Sequence, residues 1–321
     1  MSSGGEEMGD YWIEFIAVLL EMAFRLGVLY IVAAMGEVIT QRSGIFNISI
    51  EGIMTLGAIT SYAAVVSTGS HLIGFMAAVV TGALIGVLLG ILMITLGMDQ
   101  TLTGMLMWIF GIGMGALLYR VFFGVRAVPI MIDTMDKIKI PVLSSIPIIG
   151  PSFFDQNLFV YLAYLLIMPL TYFVLFKTTH GLKIRAVGEN PRAADVLGIN
   201  VGLTRYLTLI FAAIMQSVAG AYLLMAETAV FTPGMIGGRG WITLQLVMFG
   251  RWNPPLILGG AVLFSFIEAL AYKVQLLYRM IPYQFLLMMP YIATIVTLVL
   301  ISRGAVMPRM LGVPYKREKS E

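Results

Sequence analysis

Long apolar runs with almost no charge dominate this sequence and leave it few ways to fold. They lie at about residues 13–40, 45–66, 72–97, 101–121, 157–176, 205–226, 255–278 and 284–302, with an interrupted run at 232–250. About 20 apolar residues wound as a helix cross the roughly 30 Å hydrocarbon core of a bilayer. Only helices and closed barrels satisfy their backbone in lipid. Barrel strands alternate in polarity, and these runs do not. Residues are 59% hydrophobic and 12% charged, against about 25% charged in a soluble domain. The reading is an all-α polytopic membrane protein: a single transmembrane domain over residues 1–321, with about nine spanning helices.

Composition narrows the chemistry. The chain has no cysteine, which removes disulfides, thiolate metal sites and thiol nucleophiles. Its two histidines, His71 and His180, argue against an imidazole metal centre. No glycine-rich phosphate cradle with a following Lys-Ser or Lys-Thr occurs, so no ATP site is expected here. The net charge of +3 calls for no nucleic-acid partner. A serine–histidine dyad from Ser43 and His71 would need both groups at one depth. The span between them separates them by the bilayer, so no catalytic residue is expected. The opening stretch MSSGGEEMGDYW lacks a basic n-region and does not read as a signal peptide.

Loop charge sets the orientation, because Lys and Arg collect on the cytoplasmic side. Residues 177–205 hold Lys177, Lys183, Arg185, Arg192 and Arg205, and the tail after 302 holds Arg303, Arg309, Lys316, Arg317 and Lys319. Both are expected in the cytoplasm. The segment 122–156 balances three cations with three acids and fits an outer loop. Residues 1–10 read as a disordered outer N-terminus and 303–321 as a cytoplasmic tail, disordered over 304–321.

Two glycine-rich interruptions stand out, RSGIFNISIEG at 42–52 and TPGMIGGRG at 232–240. Each precedes a similar pentapeptide, GIMTL at 52–56 and GWITL at 240–244. Broken helices in an inverted repeat are one way to build a transport site near the midplane. Arg42, Gly44, Gly52, Gly238, Arg239 and Gly240 are the candidate gating or structural residues of the two breaks. Charges inside spans need partners or water. Glu37 and Glu51 flank Arg42, which suggests a salt bridge across the first break or a polar lining of a path. Arg239 is expected to pair with a carboxylate or a helix C-terminus. Asn47, Glu51, Gln216, Thr243 and Gln245 are candidates for lining the path, or else for ordinary interhelical hydrogen bonds. Glycines four apart at 82, 86 and 90 read as a close-packing stripe.

The charged insert GLKIRAVGENPRAADVLGIN, residues 181–200, interrupts the apolar pattern. Asn190 suits an N-cap, Pro191 the first helical position, and Gly198 a left-handed stop. The helix between them is too short to stand alone in water. Ala193, Ala194 and Leu197 share a face that Arg192 and Asp195 edge. The pattern alone allows two readings: an amphipathic connector on the membrane surface, or a helix that receives force from a cytoplasmic motor.

GLKIRAVGENPRAADVLGINV closely resembles the cytoplasmic loop of ABC-transporter permeases of the branched-chain amino acid, ribose and nucleoside import family. GEVITQRSGIFNISIEGIMTLGA at 36–58 and GMIGGRGWITLQLVMFGRWNP at 234–254 resemble the family's two half-signatures, in the same order. Position 41 is Gln where many relatives have Glu, and position 49 is Ser where Gly is usual. The chain also looks one helix, the first, shorter than the ribose permeases. The resemblance is closest to the nucleoside and simple-sugar branch.

That resemblance implies the permease subunit of an ATP-driven importer working by alternating access in the plasma (inner) membrane, with its N-terminus outside and C-terminus inside. It implies an ABC ATP-binding subunit that carries ATP and Mg, contacted through Gly188, Asn190, Pro191, Arg192, Ala193, Ala194, Asp195, Leu197 and Gly198. It further implies an extracytoplasmic binding protein and a second permease subunit, with the short N-terminus favouring a paralogue and so a heterodimer. A branched-chain amino acid substrate, or an ion-coupled carrier working through Glu51 or Glu227, are the alternatives.

Overall fold

Each apolar run becomes a helix, and the glycines and prolines between them set where helices end. The computed structural model describes residues 3–125, 128–141, 143–146, 148–277, 282–301 and 307–315. In order, the helices are α1 (Ser3–Arg42), α2 (Ile50–Thr68), α3 (His71–Gly90), α4 (Gln100–Phe123), α5 (Ile149–Phe153), α6 (Leu158–Tyr161), α7 (Met168–Lys177), α8 (Thr179–Glu189), α9 (Pro191–Val196), α10 (Val201–Tyr222), α11 (Arg239–Phe249), α12 (Pro254–Leu277) and α13 (Tyr283–Ile301). Short π-turns extend α3 to Thr95, join α6 to α7, and extend α10 to Thr228. The Asp99 side chain caps α4 by accepting from Leu102 N, 2.8 Å.

Among the described residues, seven stretches are long and apolar enough to cross a membrane: Trp12–Arg42, Ile50–Thr68, His71–Thr95, Gln100–Phe123, Leu158–Lys177, Val201–Thr228 and Pro254–Leu277. The interrupted run at 232–250 is not among these seven. Its helical part, α11, has 11 residues and at 1.5 Å per residue is about 16 Å long, half a bilayer. α13 adds a further apolar helix of 19 residues. The helices after the two breaks differ in length, 19 residues in α2 and 11 in α11, so the fold does not establish the expected repeat.

α10 packs against α3, α1 and α2, α1 also lies along α12, and α4 rests on α2. α1, α2 and α10 therefore form the centre, where Tyr30, Met35, Met54 and Tyr222 are wholly buried. Lipid tails are as apolar as leucine, so such helices are held by close contact and hydrogen bonds. The Gly82, Gly86 and Gly90 stripe supplies the contact: a Cβ there would collide with Ile214, Ile210 and Tyr206 of α10. Leu84, Leu102, Leu106 and Leu165 on the outer helices are exposed and face lipid or a partner.

The segment expected as a plain outer loop contains a small sheet, so the fold is not strictly all-α. β1 (Lys137–Lys139) pairs antiparallel with β2 (Asp155–Asn157), with Ile138 opposite Gln156. Side chains tie it to α1: Ser152 Oγ donates to Ala17 O at 2.9 Å and Gln156 Nε2 to Glu21 O at 3.1 Å. Residues 3–10 are the first turns of α1. Residues 307–315 fold back onto the bundle; 1–2, 302–306 and 316–321 lie outside the described residues.

Candidate functional site

The first break follows directly from its sequence. α1 stops at Arg42 because Gly44 takes φ +89°, a left-handed conformation that costs glycine little. The chain then runs extended beside α10 to Asn47. Asn47 Nδ2 donates to Gln216 Oε1 at 3.2 Å, and Gln216 Nε2 donates to Glu37 Oε2 at 2.8 Å. Gln41 Nε2 donates to Glu37 Oε1 at 2.9 Å, and Trp252 Nε1 donates to Gln41 Oε1 at 2.6 Å. All five side chains are buried, so this is a closed chain of polar groups between helices. The sequence candidates Asn47 and Gln216 both belong to it.

The expected salt bridge around Arg42 is not formed. Arg42 donates instead to Trp252 O at 3.0 Å and Arg251 O at 3.4 Å, just past the C-terminus of α11. Carbonyls left over at a helix end attract a cation, and Glu37 is already held by two amides. Glu51 turns to the second break, where its Oε1 accepts from Gly238 N at 3.0 Å.

That second break brings two helix N-termini together. Gly238 has φ +84°, and a Cβ on Gly240 would overlap Glu51. The start of α11 thus abuts the start of α2, with a carboxylate between them. Positive helix ends favour such a charge. Gly52 faces the other way, against Met107 and Trp108 of α4. Thr243 Oγ1 donates to Arg239 O at 2.9 Å within α11, and Gln245 is half-buried on the same helix.

Arg239 pairs as its position suggested. Its Nε and Nη2 donate to Glu268 Oε1 at 3.0 and 2.5 Å. Nη1 donates to Met235 O and Ile236 O, and Nη2 also reaches Tyr272 Oη at 2.9 Å. Glu268 Oε2 accepts from Tyr30 Oη at 2.8 Å. Beside this cluster lies a cavity of about 470 Å³ between the second break, α12 and α13. A second ion pair, Arg25 with Glu227 at 2.8 Å, ties α1 to the end of α10.

At the opposite end of the bundle, α8 and α9 form an elbow. Asn190 Oδ1 accepts from Ala193 N at 3.1 Å, Pro191 opens α9, and Gly198 ends the turn at φ +81°. The expected face needs correcting. Ala194 is 1% exposed and packs with Val187 and Val201. The outward face carries Arg192, Ala193, Val196 and Leu197, the last two 88% and 80% exposed. Residues i, i+1, i+4 and i+5 share one side of a helix, and Ala194 falls off it.

The elbow touches the first break. A Cβ on Gly188 would collide with Arg42 O. The tail stitches both together: Met310 N donates to Gly188 O at 3.0 Å, Gly312 N to Gly44 O at 3.1 Å, and Arg205 Nη1 to Val313 O at 3.1 Å. Tyr315 Oη donates to Asp195 Oδ2 at 3.1 Å. Ser43, hydrogen-bonded to Thr208, and His71, against Asp133 O, lie at opposite ends of α2.

The family described as "Branched-chain amino acid transport system / permease component" matches residues 19–301. The chain belongs to this family. Among similar proteins, a guanosine ABC transporter permease, NupQ of Bacillus subtilis, is 31% identical over 315 residues, covering 96% of this permease and 99% of the relative. A nucleoside ABC transporter permease, NupC of Lactococcus lactis, is 34% identical over 298 residues, 90% and 93% of the two chains. A putative glucose ABC transporter permease, TsgC13 of Haloferax volcanii, is 33% identical over 267 residues, 82% and 79%. No solved structure matches the permease at a significant level.

Sequence reasoning missed three features of this multi-pass permease. Arg25, a lone cation in an apolar run, required a partner that Glu227 supplies. Tyr30 and Tyr272 complete the Arg239–Glu268 cluster. The tail contacts carried no signal, because backbone groups make most of them.

Proposed function

We propose that the permease is the membrane-spanning subunit of an ATP-driven importer that passes a nucleoside or simple sugar by alternating access across the plasma (inner) membrane. The observation that carries this reading is α9. It is a six-residue helix, capped at both ends, that exposes Val196 and Leu197 while its other side packs on α8 and the start of α10, and α8 in turn touches the first break through Gly188. Such a helix is not stable alone, and its exposed apolar pair suits a protein groove. The ATP-binding subunit, holding ATP and Mg, fills that role. Movement of α9 is passed through Gly188 and the tail to Gly44. The two breaks, working as paired halves of an inverted repeat, gate the path, with Asn47, Glu51, Gln216, Thr243 and Gln245 as its candidate lining. The α8–α9 end is cytoplasmic, so the N-terminus lies outside and the tail inside. A binding protein delivers solute, and a paralogous permease completes a heterodimer.

The substrate class follows from the nucleoside and glucose relatives. Ion coupling is less well supported, since Glu227 is paired with Arg25 and Glu51 is held by Gly238 N. The test is affinity purification of the tagged chain from its native membranes. An ATP-binding subunit should co-purify with wild type and be lost with Val196→Glu/Leu197→Glu. Retention of solute uptake by that variant, or after ATP depletion, would sink the proposal.

A further inference from the structure

The cavity beside the second break is lined by none of the path residues proposed from sequence, and of the gating candidates it includes Arg239. We propose that this cavity is the permease's outward-facing solute site, and that it takes a neutral, hydroxyl-bearing ring and rejects a free amino acid. The assignment of its outer side rests on the importer reading above.

Its position suits that role. Thr228 at the end of α10 and Gln275 near the end of α12 line its upper part, and Thr232 and Gly234 at the break are exposed. Its floor reaches Tyr30, well inside α1, and the N-terminal turn of α11. It therefore runs from the outer ends of the helices to the point where the α2 and α11 N-termini meet. Its volume, about 470 Å³, lies within the roughly 300–1,000 Å³ of small-molecule sites.

Its chemistry decides the class of solute. Among the described residues, the charged side chains lining it are Arg239 and Glu268, and they pair with each other. Every N–H of Arg239 already has an acceptor, in Glu268, Tyr272, Met235 O and Ile236 O. Both Glu268 oxygens accept, one from Arg239 and one from Tyr30. The pair is thus neutral overall, and all the Arg239 donors are taken. A zwitterionic amino acid would bring a carboxylate and an ammonium into a pocket whose charged side chains, among the described residues, already neutralise each other, and an unpaired ion is costly to bury. The remaining polar side chains among the described lining residues are the hydroxyls of Thr228, Thr232 and Tyr291 and the amide of Gln275. These both donate and accept, which suits ring hydroxyls and base edges. Tyr272 and Tyr291 supply aromatic walls, against which a base or the apolar face of a sugar stacks. By contrast, the polar atoms of the Asn47–Gln216 network are bonded to one another.

The chain has no cysteine of its own, which makes the test direct. Thr232→Cys and Gln275→Cys are introduced singly in the complete importer in cells, with exposed Ser67→Cys at the end of α2 as control. A membrane-impermeant thiol reagent is applied with guanosine, glucose or leucine, and uptake of each labelled solute is measured in parallel. Guanosine or glucose should slow labelling at both cavity positions about ten-fold when present at about ten times its Kd. Neither should alter labelling at Ser67→Cys, and leucine should protect none of the three. Protection by leucine alone would overturn the neutral-solute assignment. Chain-dependent uptake of guanosine or glucose without protection would overturn the site and leave the importer reading intact. If uptake of all three solutes is independent of the chain and no solute protects, both fail.

Discussion

At the scale of single residues, charges in the membrane carry the most information, because each must be met by a partner. Arg239 and Glu268 bridge α11 and α12 with little exposure. Removing one partner leaves the other charge buried, which typically costs about 3–5 kcal/mol, whereas replacing both with apolar groups is often close to neutral. Arg239→Met should therefore destabilise the permease more than Arg239→Met/Glu268→Met does, as read from unfolding midpoints in detergent. Equal losses for the single and double variants would mean that the pair does not hold the break. The need for a partner was legible in the sequence, because a lone arginine in an apolar stretch announces it. Which partner was not. Arg42 finds carbonyls past α11, Glu37 finds two amides, and Glu51 finds the backbone of the second break. Those choices depend on which helices lie side by side, and local spacing does not encode that.

At the scale of elements, α9 shows where local rules suffice and where they stop. Asn190, Pro191 and Gly198 fix its start and end through short-range geometry, so its existence could be read directly. Its facing could not, since Val187 and Val201 bury Ala194 from other helices. The same holds for α11, whose apolar run looked long enough to span but starts only at Arg239, after the glycine turns. The corrected facing has a consequence. Ala194→Arg should lower the yield of folded permease, because a long cation would enter the packing between α8 and α10. Val196→Arg should leave folding unchanged and weaken co-purification of the ATP-binding subunit. Monodispersity by size-exclusion chromatography separates the two effects. Equal behaviour of the two variants would contradict the assignment of the outward face.

At the scale of the whole molecule, the packing joins the elbow to the cavity. The elbow of α8 and α9, the tail at 307–315 and the first break form one hydrogen-bonded unit at one end of the bundle. The second break and its cavity lie further along the same helices, and the start of α11 touches the start of α2. A displacement of the elbow thus has a continuous packed route to the cavity through Gly44, Asn47 and Glu51. The route works as an importer only if the elbow is inside the cell. Half of the Lys and Arg residues, ten of twenty, lie in residues 177–205 and 303–321, which the positive-inside rule assigns to the cytoplasm. In the cysteine-free chain, Ser67→Cys should react with an impermeant maleimide on intact cells. Lys183→Cys on α8 should react only after the membrane is permeabilised. The opposite pattern would put the elbow outside, where no ATP-binding subunit could meet it as proposed, and would reverse the direction in which the cavity opens.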